Sequence, residues 1–143
     1  MCMTDFELIS KKSMTGYKVM CRRTCNTDRG WKGDLQYKYA SVGKAVQMGI
    51  ELEAAPPSLI HEAVSPDYGW RFHFYSTERT ARRMASQDGG LPWKDVVVKV
   101  KARQVTARGS DNTTSLGGFR AAGFKTRPVV YVSRYITILE VLK

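Results

Sequence analysis

Apolar and polar residues alternate along much of this chain, and alternation at period two predicts β-strands. In Tyr17–Arg23, Tyr17, Val19 and Cys21 fall on one side, and Lys18, Met20 and Arg22 on the other. Asp34–Ser41 repeats the pattern, with Leu35, Tyr37 and Tyr39 opposite Gln36, Lys38 and Ala40. Gly69–Thr77 carries it most clearly: Trp70, Phe72 and Phe74 point one way, Arg71, His73 and Tyr75 the other. In Val96–Val105, Val98, Val100 and Ala102 share one face, while Lys99, Lys101 and Arg103 share the other with Val97. Val129–Val132 and Tyr135–Val141 complete the β pattern, joined by Ser133-Arg134 or bent there.

Helical spacing is rarer. Ser76 or Thr77 is placed to cap a helix, with Glu78 in its first turn and Ala81, Met84 and Ala85 as its packing positions. Asp88-Gly89-Gly90 and Pro92 close that segment. Val42, Val46 and Ile50 also fit helical spacing, but Gly43 and Gly49 each weaken a helix by about 1 kcal/mol relative to Ala. Asn26–Gly33 has turn chemistry. Residues 1–15 read as an N-terminal arm, and Gly109–Arg127, rich in Gly, Ser, Thr and Asn, reads as a flexible loop. Strands around one clear helix predict a single α+β domain over residues 16–143, with a mainly antiparallel twisted sheet and one or two helices.

The 143 residues suit one domain, and 43% hydrophobic with 25% charged residues is ordinary for a globular chain. No run reaches the roughly 18–20 apolar residues of a membrane helix. Residues 1–15 lack the apolar core of a secretory signal. The three cysteines, Cys2, Cys21 and Cys25, form no disulfide framework. A reducing, cytoplasmic setting is therefore expected. Cys21 and Cys25 with His61 and His73 lack the usual spacing of a zinc site, and no motif supports a Cys–His73 dyad, so neither a metal nor a cofactor is expected.

Charge changes the picture most. Residues 1–70 hold 9 Lys and Arg against 8 Asp and Glu, whereas residues 71–143 hold 14 against 5. The formal excess of +10 thus lies almost wholly in the second half, where arginine dominates. Guanidinium groups suit planar contact with phosphates and carboxylates. Three segments are candidate anion contacts. Arg71, His73, Tyr75 and Ser76 meet at the strand-to-helix junction. Arg79, Arg82 and Arg83 on the helix and Lys99, Lys101 and Arg103 on the next strand form a cationic set. Lys125 and Arg127 follow Gly118 and Gly123, but Phe124 precedes the Lys and Pro128 with a β run follows, which is not a phosphate loop. A solvated charged surface accounts equally for the first two sets, and plain disorder of the loop for the third.

Phe74-Tyr75-Ser76-Thr77 and the helix after it resemble the central segment of the ADP-ribosyltransferase fold over residues 69–141. Gly69–Phe74 also resembles a strand of small uncharacterised bacteriophage domains. The first resemblance implies an NAD cleft lined by His73, Tyr75 and Ser76, with Arg22 or Arg23 as the opening residue of the first strand. It also implies a catalytic Glu before the penultimate strand, where this chain has Lys125-Thr126-Arg127-Pro128. The expected function is a small basic binding protein without catalysis, engaging nucleic acid, a nucleotide-type ligand or an acidic protein surface. A phage host-takeover or counter-defence role would fit. The alternatives are an NAD-using transferase and a protein inhibitor anchored through Trp31 and Trp93.

Overall fold

The computed structural model describes residues 3–28, 30–37, 45–54, 72–85, 93–112 and 115–142. Its strands are β1 (Met3–Arg23), β2 (Leu35–Tyr37), β3 (Glu51–Glu53), β4 (Phe72–Phe74), β5 (Trp93–Asp111) and β6 (Val129–Leu142). Its helices are α1 (Glu78–Met84) and α2 (Leu116–Ala121). The sheet order is β2-β1-β5-β6-β3, with β4 also on β6, and every strand pair is antiparallel. The expected antiparallel sheet is present. The two helices are short, so sheet dominates and α+β describes the chain only loosely.

Three long strands carry the fold. β1 pairs with β5 along nearly its whole length, and β5 pairs with β6 from Val97 to Ser110. β4 lies on the far edge of β6 and then returns to β1: Tyr75 N–H donates to Tyr17 O at 2.7 Å, and Tyr17 N–H to Tyr75 O at 2.8 Å. The hydrogen-bonded circuit β1–β5–β6–β4–β1 is thereby closed, which removes two exposed sheet edges locally. Register shifts between Thr4 and Glu7, Leu8 and Lys11, Lys99 and Val100, and Val105 and Ala107 give the strands their irregularity. Asp5, with φ of 49°, sits inside the first shift, and Gln104, with φ of 54°, just before the last.

The alternation in the sequence becomes the core. Val98, Val100 and Ala102 of β5 are fully buried, packed with Met20, Leu35, Phe74, Val105, Ile136 and Ile138. A second cluster gathers Met3, Ala107, Val130 and Val132 against Phe6 and Tyr75. The two meet where Ser133-Arg134 interrupts the inward alternation of β6. Ser133 is buried there, with its Oγ donating to Tyr135 O at 3.1 Å, while Arg134 is exposed. β6 is one continuous strand through this point, because the extra residue is absorbed on β5 between Val105 and Ala107.

Two expectations are corrected. Residues 3–15, expected as an arm, belong to β1, because pairing with β5 satisfies a backbone whose own sequence has weak alternation. The segment 109–127, expected as a loop, holds the end of β5 and then α2. α2 is built by its ends. Ser115 Oγ accepts from Gly118 N–H at 3.1 Å, and the other end is a Schellman motif. There Gly123 adopts φ of 96°, its N–H donates to Arg120 O, and Phe124 N–H reaches Phe119 O at 3.0 Å. The rings of Phe119, fully buried, and Phe124 meet edge-on at 6.1 Å, the apolar contact that accompanies this cap. In the stretch expected to be partly helical, residues 51–53 form β3, and residues 42–44 lie outside the described residues.

Closure over β4 depends on Gly16. A Cβ there would stand 2.3 Å from Phe74 Cδ2 and 2.8 Å from Tyr75 O. Gly16→Ala is expected to lower stability by about 1–3 kcal/mol through overpacking. A urea midpoint equal to that of the unsubstituted chain would refute the close-approach argument.

Candidate functional site

Closing the circuit delivers the chain from Tyr75 straight into α1. Thr77 is the residue that caps it, its Oγ1 accepting from Thr80 N–H at 3.3 Å. Ala81, with no exposed surface, seats the helix on β1 and β5. With only seven residues, α1 contributes little dipole, and its charge comes from its side chains. Arg79, Arg82 and Arg83 leave it toward solvent.

The segment 123–129 is drawn to the same place by Asp111, which is 1% exposed at the end of β5. Tyr75 O–H donates to Asp111 Oδ2 at 2.5 Å. The Asp111 N–H donates to Pro128 O at 2.9 Å, and Arg127 Nη1 donates to Asp111 O at 3.3 Å. One buried residue therefore fastens the end of β4, the end of β5 and the start of β6. From α1, Arg83 Nη1 donates to Gly123 O at 3.1 Å, and its guanidinium lies 5.6 Å from the Phe124 ring centre. Arg127 stands similarly 5.7 Å from Phe119.

Between these two segments lies an open cleft of about 640 Å³. Arg79, Arg83, Lys125 and Arg127 line it, with the hydroxyl residues Ser76, Thr77, Thr80 and Thr126 and the ring of Phe124. Among the described residues, no carboxylate lines it. Among the described residues, Arg79 and Lys125 have no carboxylate partner either.

Five of the sequence-predicted residues thus converge: Ser76, Arg79, Arg83, Lys125 and Arg127. The others do not. Arg82 turns to Glu78 at 3.4 Å on the exposed side of α1. Lys99, Lys101 and Arg103 are on β5 and outside the cleft lining. Arg103 is bidentate to Glu51, at 2.9 and 2.6 Å, and sits 4.0 Å over the Tyr135 ring. The cationic set of helix and strand is therefore divided, because β3 brings acids to the β5–β6 surface. His73 is held in the β4–β6 ladder, where its carbonyl accepts from Lys18 Nζ at 2.7 Å. Tyr75 is turned toward Asp111. Arg71 and Trp70 lie outside the described residues, as do His61 and Cys2. Cys21 Sγ lies 3.7 Å from Asp95 Oδ1, and among the described residues no three His, Cys, Asp or Glu side chains cluster for a metal. Trp31 is 71% exposed, while Trp93 lies under the Arg23 guanidinium at 4.2 Å.

Sequence reading missed Asp111 and the capping pair Gly123 and Phe124. The signal for Asp111 was its charge: it is one of only five acids in a strongly basic half. Among the described residues, no helix is long and apolar enough to cross a membrane.

Two outcomes are expected. Asp111→Ala removes a hydrogen bond to a charged group and is expected to cost about 1.5–3 kcal/mol, read from denaturant midpoints; an unchanged midpoint would count against its fastening role. At the β5–β6 surface, the hydrogen bond from Arg103 holds the Glu51 carboxyl below the usual carboxylate range. The contribution of that pair is present above the ordinary Glu pKa and is lost as pH falls through the lowered one. Exposure keeps it small. A carboxyl-carbon NMR titration is expected to find the Glu51 midpoint rising in Arg103→Ala; an unmoved midpoint would contradict that cause. No known family model, curated protein or solved structure compared with the chain matches it.

Proposed function

We propose that the protein is a basic binding module whose cleft between α1 and the segment 123–129 takes the phosphates of a nucleic acid. The observation that carries the reading is the sorting of cations. Arg82, Arg103, Arg108 and Arg134 are each paired with a glutamate. Arg79 and Lys125, from segments more than forty residues apart, have no carboxylate partner among the described residues, and they line one concavity together with Arg83 and Arg127. Like charges so gathered repel one another, and the arrangement is relieved when an anion enters.

The chemistry of the lining favours phosphate. Guanidinium groups donate in pairs to phosphate oxygens, and the threonine and serine hydroxyls supply neutral donors beside them. The cleft is open rather than enclosed, which suits a polymer backbone that passes through it. Phe124 lies in the same wall, an aromatic face beside the phosphate track. The reading needs no catalytic group, and the residues placed here perform binding alone.

Fluorescence anisotropy with labelled single-stranded and duplex oligonucleotides tests the reading. Binding is expected to weaken with salt, with log K falling by about 0.9 per log[salt] for each phosphate neutralised on duplex DNA and about 0.7 on single strands. Arg79→Ala with Lys125→Ala is expected to weaken binding about tenfold or more and to flatten the slope, whereas Arg103→Ala leaves both unchanged. Absence of binding at low salt, or equal effects of the two sets, would end the nucleic-acid reading.

A further inference from the structure

Cations and hydroxyls do not make up the whole wall of the cleft between α1 and the segment 123–129. Val129, at the head of β6, is 49% exposed and lines it. Phe124, half-buried, lines it as well. Apolar surface left in water is unfavourable, and isolated cases on a protein surface are common. Here two such side chains share one concavity with Arg79 and Lys125, which have no carboxylate partner among the described residues. A phosphate alone meets only the charged part of that wall.

The apolar part is held in place by the fold. Phe124 N–H donates to Phe119 O at 3.0 Å, and its ring meets the buried Phe119 ring edge-on at 6.1 Å. Arg83 Nη1 donates to Gly123 O at 3.1 Å, which sets the guanidinium 5.6 Å from the Phe124 ring centre. Val129 is paired with Ser110 in the β5–β6 ladder. Ring, guanidinium and valine are thus positioned by a helix cap and a strand pair. A ligand that uses them orders little of the protein when it binds.

Given that the cleft takes phosphates, the reading on which this step rests, we propose that its ligand is a single strand of nucleic acid. An unstacked base lies against Phe124, Arg83 and Val129 while the neighbouring phosphates meet Arg79 and Lys125. In a duplex the bases are paired and stacked inside, and the backbone presents phosphate and sugar, so the apolar part of the wall finds no partner. The face of an unpaired base stacks on aromatic rings and on guanidinium planes. The volume of about 640 Å³ also falls within the roughly 300–1,000 Å³ of small-molecule sites, so the cleft admits part of a strand and not the body of a duplex. A free mononucleotide carries the same base-and-phosphate chemistry.

Competition against a labelled strand, read by anisotropy with the whole chain, tests the base contact with four probes. They are a short oligothymidylate, an abasic strand of equal length that keeps the phosphates and lacks the bases, a duplex of equal length, and thymidine monophosphate. The oligothymidylate is expected to bind about tenfold or more tighter than each of the other three. Phe124→Leu, which keeps an apolar contact for Phe119, combined with Val129→Thr, is expected to bring the ratio of oligothymidylate to abasic affinity toward one. Arg79→Ala with Lys125→Ala is expected to weaken both strands and to preserve their ratio. On the unsubstituted chain, the Phe124 ring protons are expected to move upfield with oligothymidylate and to stay put with the abasic strand. Equal affinity of the two strands, a duplex or mononucleotide as tight as the oligothymidylate, or still ring protons each overturn the proposal. If the Arg79 and Lys125 substitutions still weaken binding in those cases, the phosphate reading of the cleft stands without it. No binding by any probe at low salt ends both.

Discussion

The structure rests on one close approach, that of β4 to β1 over Gly16. Phe74 occupies the space a side chain at Gly16 would fill, and the paired backbone bonds between Tyr17 and Tyr75 lock it there. Burial of Phe74 supplies the driving force, and absence of a Cβ at one position makes it sterically possible. The chain from Tyr75 into α1 inherits its position from that contact. α1 starts three residues beyond Tyr75, and the Tyr75 hydroxyl reaches across to Asp111. Asp111 in turn draws in Pro128 and Arg127. A packing constraint between two strands thus becomes the placement of charged groups on a surface.

Electrostatics divides the molecule more finely than its composition does. The β5–β6 surface is rich in arginine, but Glu51, Glu53 and Glu7 meet Arg103, Arg134 and Arg108 there. Such exposed pairs contribute little stability; their effect is to cancel field. The field survives along the cleft between α1 and the segment 123–129, where Arg79 and Lys125 have no carboxylate partner among the described residues. That cluster lies in the cation-rich half.

The strands were largely legible from periodicity. Val98, Val100 and Ala102 turn inward as their alternation predicts, and the cap at Thr77 with Ala81 beneath it is a local signal read from a few residues. α2 was not legible, because Leu116-Gly117-Gly118 has poor helix propensity and its stability comes from Ser115 at one end and the Gly123–Phe124 cap at the other. The N-terminal strand was missed for a related reason: residues 3–15 alternate weakly and are held by β5 rather than by their own pattern. Of the candidate site, residue types were legible and neighbours were not.

Local order in the chain determined which stretches become strand or helix, which faces are apolar and on which half the positive charge falls, since each of these depends on residues within a few positions of one another. Which cations meet and which are cancelled was decided only by tertiary structure. Arg83 and Gly123 are forty residues apart, Arg103 and Glu51 fifty-two, and no short-range rule relates them. The ladder registers and the buried carboxylate of Asp111 bring the first pair to a cleft and the second to the β5–β6 surface, because Coulomb forces depend on distance through space and not on distance along the chain.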